Sequence, residues 1–104
     1  MQRMQISIQT TDSPKLVEAY IAESFPGIAV HRTIWNSDLW TATHVKSGIA
    51  IFTRFGRRKD AVQYAKEAAA LTNFTVSEEK LSAHVNRRVE LRRRLRELAN
   101  ELAA

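Results

Sequence analysis

The chain has 104 residues, with 16 lysines and arginines against 11 aspartates and glutamates, a formal charge of +5, and no cysteine. That length fits one domain with one core and excludes a second enzyme domain, and zero cysteine excludes disulfides, thiolate metal sites, iron–sulfur clusters and cysteine nucleophiles. No apolar run approaches the ~20 residues of a membrane span and residues 1–8 lack a signal-peptide apolar core, so a soluble, cytoplasmic protein is expected, whose pI of 10.1 favours an anionic partner, nucleic acid first.

Met4, Ile6 and Ile8 alternate with Gln5, Ser7 and Gln9, which predicts a half-buried strand. Thr11-Asp12-Ser13-Pro14 stops it. Ser13 suits an N-cap and Pro14 a first helical position, so a helix is predicted with Leu16, Val17, Tyr20 and Ile21 on one face, ending at Pro26-Gly27. Strands are predicted over Ile28–Trp35, Leu39–Val45 and Ile49–Phe55, joined by turns at Asn36-Ser37-Asp38 and Lys46-Ser47-Gly48. Connections this short make an antiparallel meander. Gly56-Arg57-Arg58-Lys59 is a basic loop opening onto a helix that holds Asp60 near its start and runs to about Leu71, with Ala61, Ala65, Ala68 and Ala69 as a small-residue face. After a break at residues 73–76, Ser77 caps a last helix whose first turn carries Glu78 and Glu79 and which meets no glycine or proline before the end. The order is β-α-β-β-β-α-α, an α+β fold: an antiparallel three- to four-stranded sheet packed by helices, with a long C-terminal helix. Residues 1–76 form the α+β domain, and residues 77–104 a basic amphipathic helix that packs on the domain, with a partner as a further surface.

A hairpin turning at Ser37-Asp38 sets Trp35 opposite Trp40, Thr33 opposite Ala42 and His31 opposite His44, all on one face. The tryptophans then form either a cross-strand pair anchoring the hairpin or an exposed platform for a base, sugar or protein. A histidine pair without a third ligand does not make a metal site, so no metal or cofactor is expected. Asp12, Asp38 and Asp60 are each explained by turn or helix-start chemistry. No carboxylate pair, phosphate-cradling glycine loop or nucleophile elbow is present, and no enzyme is expected.

Two basic clusters carry the functional argument. Arg54, Arg57, Arg58 and Lys59 sit where the third strand of the meander turns into a helix, and helix N-termini attract phosphate. The stretch Phe55-Gly56-Arg57-Arg58-Lys59-Asp60-Ala61, with Ala65 and Ala68-Ala69, resembles the end of a double-stranded-RNA-binding domain, whose helix, three strands, basic loop and alanine-rich helix match the order expected over residues 14–72. That resemblance sets Arg58 and Lys59 at the family's paired lysines, while the later lysine is replaced by Val62 and the first strand is extra. Arg32-x-x-Trp35, Trp40-x-Ala42, Phe55, Ala61 and Ala68-Ala69 are similar to AP2/integrase-type DNA-binding domains, in which the sheet enters the major groove; the glycine usual before the strand-ending aromatic is missing here and the hairpin is longer. Both resemblances imply a sheet-plus-helix nucleic-acid module, with Arg32, Arg54, Arg57, Arg58, Lys59, Trp35 and Trp40 as its candidate contacts.

The second cluster is Arg87, Arg88, Arg92, Arg93, Arg94 and Arg96. At ~100° per residue the apolar positions Leu81, Val85 and Val89 lie about 110° from Leu91, Leu95, Leu98 and Leu102, with Arg88 and Arg92 between them. The helix is therefore expected to meet two surfaces: the domain through its first half, and through the four leucines a second copy, another protein, or its own domain after bending back; a further reading lays this basic helix in a nucleic-acid groove, with its six arginines as a second basic patch. The leading expectation is a small DNA- or RNA-binding protein, with a dimer as one form. The alternative is a protein–protein interaction module with no nucleic acid, such as a small inhibitor or adaptor of the kind a phage or mobile element directs at a host nucleic-acid enzyme.

Overall fold

The computed structural model describes residues 1–103. Five strands come first, β1 (Gln2–Ile8), β2 (Lys15–Ile21), β3 (Ile28–Thr33), β4 (Asn36–His44) and β5 (Ala50–Phe55). Three helices follow, α1 (Arg58–Leu71), α2 (Glu78–Arg87) and α3 (Val89–Ala103). The strands form one antiparallel sheet in sequential order β1-β2-β3-β4-β5. The α+β class holds, with five strands where three or four were expected.

The added strand is β2, where a helix was expected. Val17, Ala19 and Ile21 alternate with Glu18 and Tyr20, and the segment pairs with β1 along its whole length, from Gln2 opposite Ile21 to Ile8 opposite Lys15. Leu16, assigned to a helix face, is 65% exposed. β-branched and aromatic residues beside a ready-made edge strand outweigh a good N-cap signal, because the pairing supplies every backbone partner that a short isolated helix supplies poorly.

The β3–β4 hairpin is also shifted. Its turn lies at Ile34-Trp35, and Arg32 faces Trp40, His31 faces Thr41, Val30 faces Ala42 and Ile28 faces His44. This differs by an odd number of residues from the expected register, so β4 presents opposite faces. Trp35 is not opposite Trp40 and His31 is not opposite His44. Asn36-Ser37-Asp38 became the start of β4, with the Asn36 side chain accepting from the Asp38 amide at 3.0 Å.

One sheet face packs on the helices. Ala61, Ala65 and Ala68 of α1 are fully buried, as the small-residue spacing predicts, and let the helix lie close over Ile28, Val30, Ala42 and Phe55. Phe52, Phe55 and Tyr64 form an aromatic cluster with ring centroids 4.9 to 6.4 Å apart, and burial pushes the Tyr64 hydroxyl up to about 12. Ser77 caps α2 by accepting from the Lys80 amide.

The long last helix is broken. Arg88 has φ −118° and ψ 91° and separates α2 from α3. The break resolves the drift of the apolar face: the chain bends instead of burying Arg88 and Arg92. Leu98 is buried in the domain's own core, Leu95 and Leu102 pack against it, and Leu91 is half-buried. The stripe set aside for a dimer or partner is thus largely covered by the chain's own fold. Ala104, the last residue of the expected 77–104 segment, lies outside the described residues.

On the other face the sheet curls. Ile6, Ile8, Ala19 and Ala29 form a second core, with Val17, Ile21 and Val45 against it. The end of β1 reaches the β4–β5 turn, where the Gln9 amide donates to the Gly48 carbonyl at 2.9 Å. Gly48 has φ +73°, and a Cβ there would lie 2.6 Å from the Ser7 carbonyl oxygen. Gly27, φ +85°, makes a similar approach to Phe74, joining the β2–β3 turn to the α1–α2 connection. Glycine is required at both.

Candidate nucleic-acid interface

At the end of the sheet nearest the start of α1, two arginines flank a pair of aromatic rings. The Arg32 guanidinium lies 4.7 Å from the Trp40 ring centroid, Trp40 lies 6.2 Å from Tyr20, and the Arg58 guanidinium lies 4.8 Å from Tyr20. Four elements meet there: β2 brings Tyr20, β3 and β4 bring Arg32 and Trp40 as a cross-strand pair, and α1 brings Arg58. Arg3 stands directly opposite Tyr20 on β1. Arg3, Lys15, Tyr20, Arg32 and Trp40 line a depression of about 480 Å³ that holds one acid, Glu18. Arg32 gives one N–H to the Ser37 carbonyl at 2.6 Å; the remaining N–H groups of an arginine stacked on an aromatic face stay available to donate, while its stem covers apolar surface.

Arg57, the N-cap of α1, makes no side-chain cap hydrogen bond; the Asp60 amide turns back to the Arg57 carbonyl at 3.1 Å, which leaves the amides of Arg58 and Lys59 as donors beside the patch. Its side chain is turned to Asp60 at 3.1 Å, which reduces its charge for a ligand. Lys59 is exposed. Arg54 lies 6.0 Å from the Trp35 ring centroid, a separate contact in which Trp35 is 63% exposed at the hairpin tip. The structure therefore brings Arg32, Trp40 and Arg58 into one patch and holds Arg54 and Trp35 as a second, smaller pair.

Tyr20 and Arg3 were missed by sequence reasoning. Tyr20 was assigned to a helix face; the signal that finds it is the alternation of Glu18 and Tyr20 with Val17, Ala19 and Ile21, which turns Tyr20 toward the same face as Arg3. The helix expected over residues 14–25 was the first element of the double-stranded-RNA-binding resemblance, and its replacement by β2 removes that correspondence.

The second basic cluster stands elsewhere. Leu95 shares a cavity with Ile49, Ala50 and Ile51, so the first half of α3 lies by the start of β5, whereas Arg57–Lys59 follow its end. Arg93 pairs with Glu90 and with Glu97, and Arg94 with Glu101 at 3.6 Å. Arg87, Arg88, Arg92 and Arg96 are exposed.

The two histidines are used internally, on opposite faces. His44 Nε2–H donates to the Val76 carbonyl at 2.8 Å, and Ser47 Oγ–H donates to Nδ1 at 2.7 Å, fastening the α1–α2 connection to the β4–β5 turn. His31 Nδ1–H donates to the Arg32 carbonyl at 2.8 Å, which leaves Nε2 to accept from Thr43 Oγ–H at 2.7 Å. Burial holds the His31 pKa below its usual 6.5, a shift that the bond to the Arg32 carbonyl partly opposes. Among the described residues, no group of three or more histidines, cysteines or acids is placed to hold a metal ion, and no helix is long and apolar enough to cross a membrane. No protein-family model, curated protein or solved structure matches the chain.

Proposed function

We propose that this is a small nucleic-acid-binding protein, a binding module rather than an enzyme, that holds phosphates with Arg3, Arg32, Arg58 and Lys59 and meets bases or sugars with the rings between them. The observation that carries this reading is the row Arg32–Trp40–Tyr20–Arg58, two rings flanked by two guanidinium groups and assembled from four elements. Guanidinium groups held over rings are pre-organised donors for phosphate oxygens. The half-buried rings between them are the complement of an unstacked base, which favours single strands. Phosphate contacts position the chain on its ligand and ring contacts add affinity with little sequence preference.

The test is an anisotropy titration with single- and double-stranded DNA and RNA oligonucleotides at several salt concentrations. Binding is expected at low salt, strongest to a single strand, with log affinity falling against log salt by about 0.7 for each phosphate contacted, hence a slope of about −2 to −3. Absence of binding to all four ligands at low salt overturns the proposal. Capture of a protein partner that survives nuclease treatment, in the absence of such binding, favours the interaction-module alternative.

A further inference from the structure

The curled face of the sheet holds a cleft of about 670 Å³, which the patch described above does not use. Its floor is polar and buried: His31, Thr33, Thr41 and Thr43 are each at most 3% exposed, and Thr53 lies beside them. Ile8, the residues 9–13 connection and the hairpin tip Ile34-Trp35 form the walls. A volume of this size accepts a small organic group.

The hydrogen bonds of the floor run one way. The Thr43 hydroxyl proton is directed to His31 Nε2. Thr33 Oγ1 donates to the Thr53 carbonyl at 3.1 Å, so Thr41, 2.7 Å from Thr33 Oγ1, is the donor in that pair. Each of these three hydroxyl protons is therefore engaged within the protein. Thr41 and Thr43 keep oxygen lone pairs and accept without donating, while the half-buried Thr53 hydroxyl beside them can donate as well as accept. A ligand in contact with Thr41 and Thr43 must bring its own N–H or O–H groups, and an anionic group finds no donor at those two positions. Trp35, 63% exposed at the mouth, offers a ring for stacking. Lys15, Thr33 and Ile34 line this cleft and the basic depression alike, so the two are continuous.

We infer that the cleft seats one unpaired nucleobase of a bound strand, its N–H edge toward Thr41 and Thr43 and its ring against Trp35. Neutral planar rings with N–H donors are the part of a nucleic acid that fits an accepting floor, and the phosphates stay outside on the arginines. The inference deepens the nucleic-acid reading and rests on it for the source of the base, but the seat itself is testable with a ligand that has no phosphate.

Adenosine, guanosine, cytidine and uridine are each titrated at millimolar concentration into the isotope-labelled full chain and followed by amide and indole NMR. At least one nucleoside is expected to shift the amides of His31, Thr33, Thr41 and Thr43 and the Trp35 indole N–H. Thr41→Val retains shape, and Thr33 keeps its bond to the Thr53 carbonyl, so no orphan donor is created. It should weaken that nucleoside about fivefold, one hydrogen bond's worth. Trp35→Ala, at an exposed position, should weaken it as well, whereas Arg92→Glu, exposed on α3 and not among the residues lining the cleft, should leave it within about twofold. Shifts absent at those four amides with all nucleosides, or unchanged by Thr41→Val and Trp35→Ala, overturn the seat even if oligonucleotides bind the arginine patch. Nucleoside shifts at the cleft together with no oligonucleotide binding support the seat and overturn the patch.

Discussion

Both ring nitrogens of His31 are occupied inside the sheet, one by a main-chain carbonyl and one by the Thr43 hydroxyl. Protonating Nε2 would set a charge in a buried site and turn its acceptor into a donor facing Thr43. The folded state therefore resists the proton, in keeping with a pKa held below 6.5. The unfolded chain binds that proton at higher pH than the folded chain, so the contribution of His31 to stability is complete above about pH 6.5 and is lost as pH falls through the lower folded value. Urea midpoints measured at about pH 7.5 and about pH 5.5 should be lower at the acidic end, and His31→Gln should flatten that difference. An equal drop in the variant would contradict this assignment. The identity of the residue was legible in the sequence, but its role was not. An alternating strand shows which residues share a face, and only the register shows whose hydroxyl a histidine meets.

Pairing between elements decides the curl that makes the cleft. The β4–β5 turn presses on the end of β1 at Gly48, where a Cβ would enter the Ser7 carbonyl and φ lies in the left-handed region. Gly48→Ala should lose about 2 kcal/mol or more, from about 1–2 kcal/mol of backbone strain plus the clash. Gly56→Ala, with open space around its Cβ position, should change stability by less than about 1 kcal/mol in either direction. Denaturant melts check both, and similar losses at the two positions would contradict the close approach. The elements legible in the sequence were those with strong local signals: β1, the meander strands β3, β4 and β5, the alanine face of α1 and the Ser77 cap. Residues 15–21 were not, because Ser13-Pro14 is a sound helix start and only pairing with β1 outweighs it. The hairpin tip escaped for a related reason. Asn36-Ser37-Asp38 has turn chemistry, yet the bulge between Arg32 and Thr33 places the turn on Ile34-Trp35. The bend at Arg88 was visible as a drift of the apolar face, though the sequence carried no glycine or proline to mark it.

Over the whole molecule the positive charge is divided. One group, Arg3, Arg32 and Arg58, gathers around Tyr20 and Trp40 at the start of α1. The other lies along α2 and α3, partly neutralised by Glu90, Glu97 and Glu101. The composition is the same for a protein that binds with either group, so the sequence alone named both as candidates; the pair of rings flanked by guanidinium groups distinguishes the first. The most direct measurement compares two charge-reversal pairs, Arg32→Glu with Arg58→Glu and Arg92→Glu with Arg96→Glu, in binding to a single-stranded oligonucleotide at low and high salt, with folding verified by circular dichroism. The first pair should lose at least about tenfold in affinity at low salt and lower the salt slope by about 1.4, two phosphate contacts' worth, while the second pair retains most of the binding and the slope. Equal losses in both pairs, or loss only in the helix pair, would contradict the assignment of the interface to the start of α1.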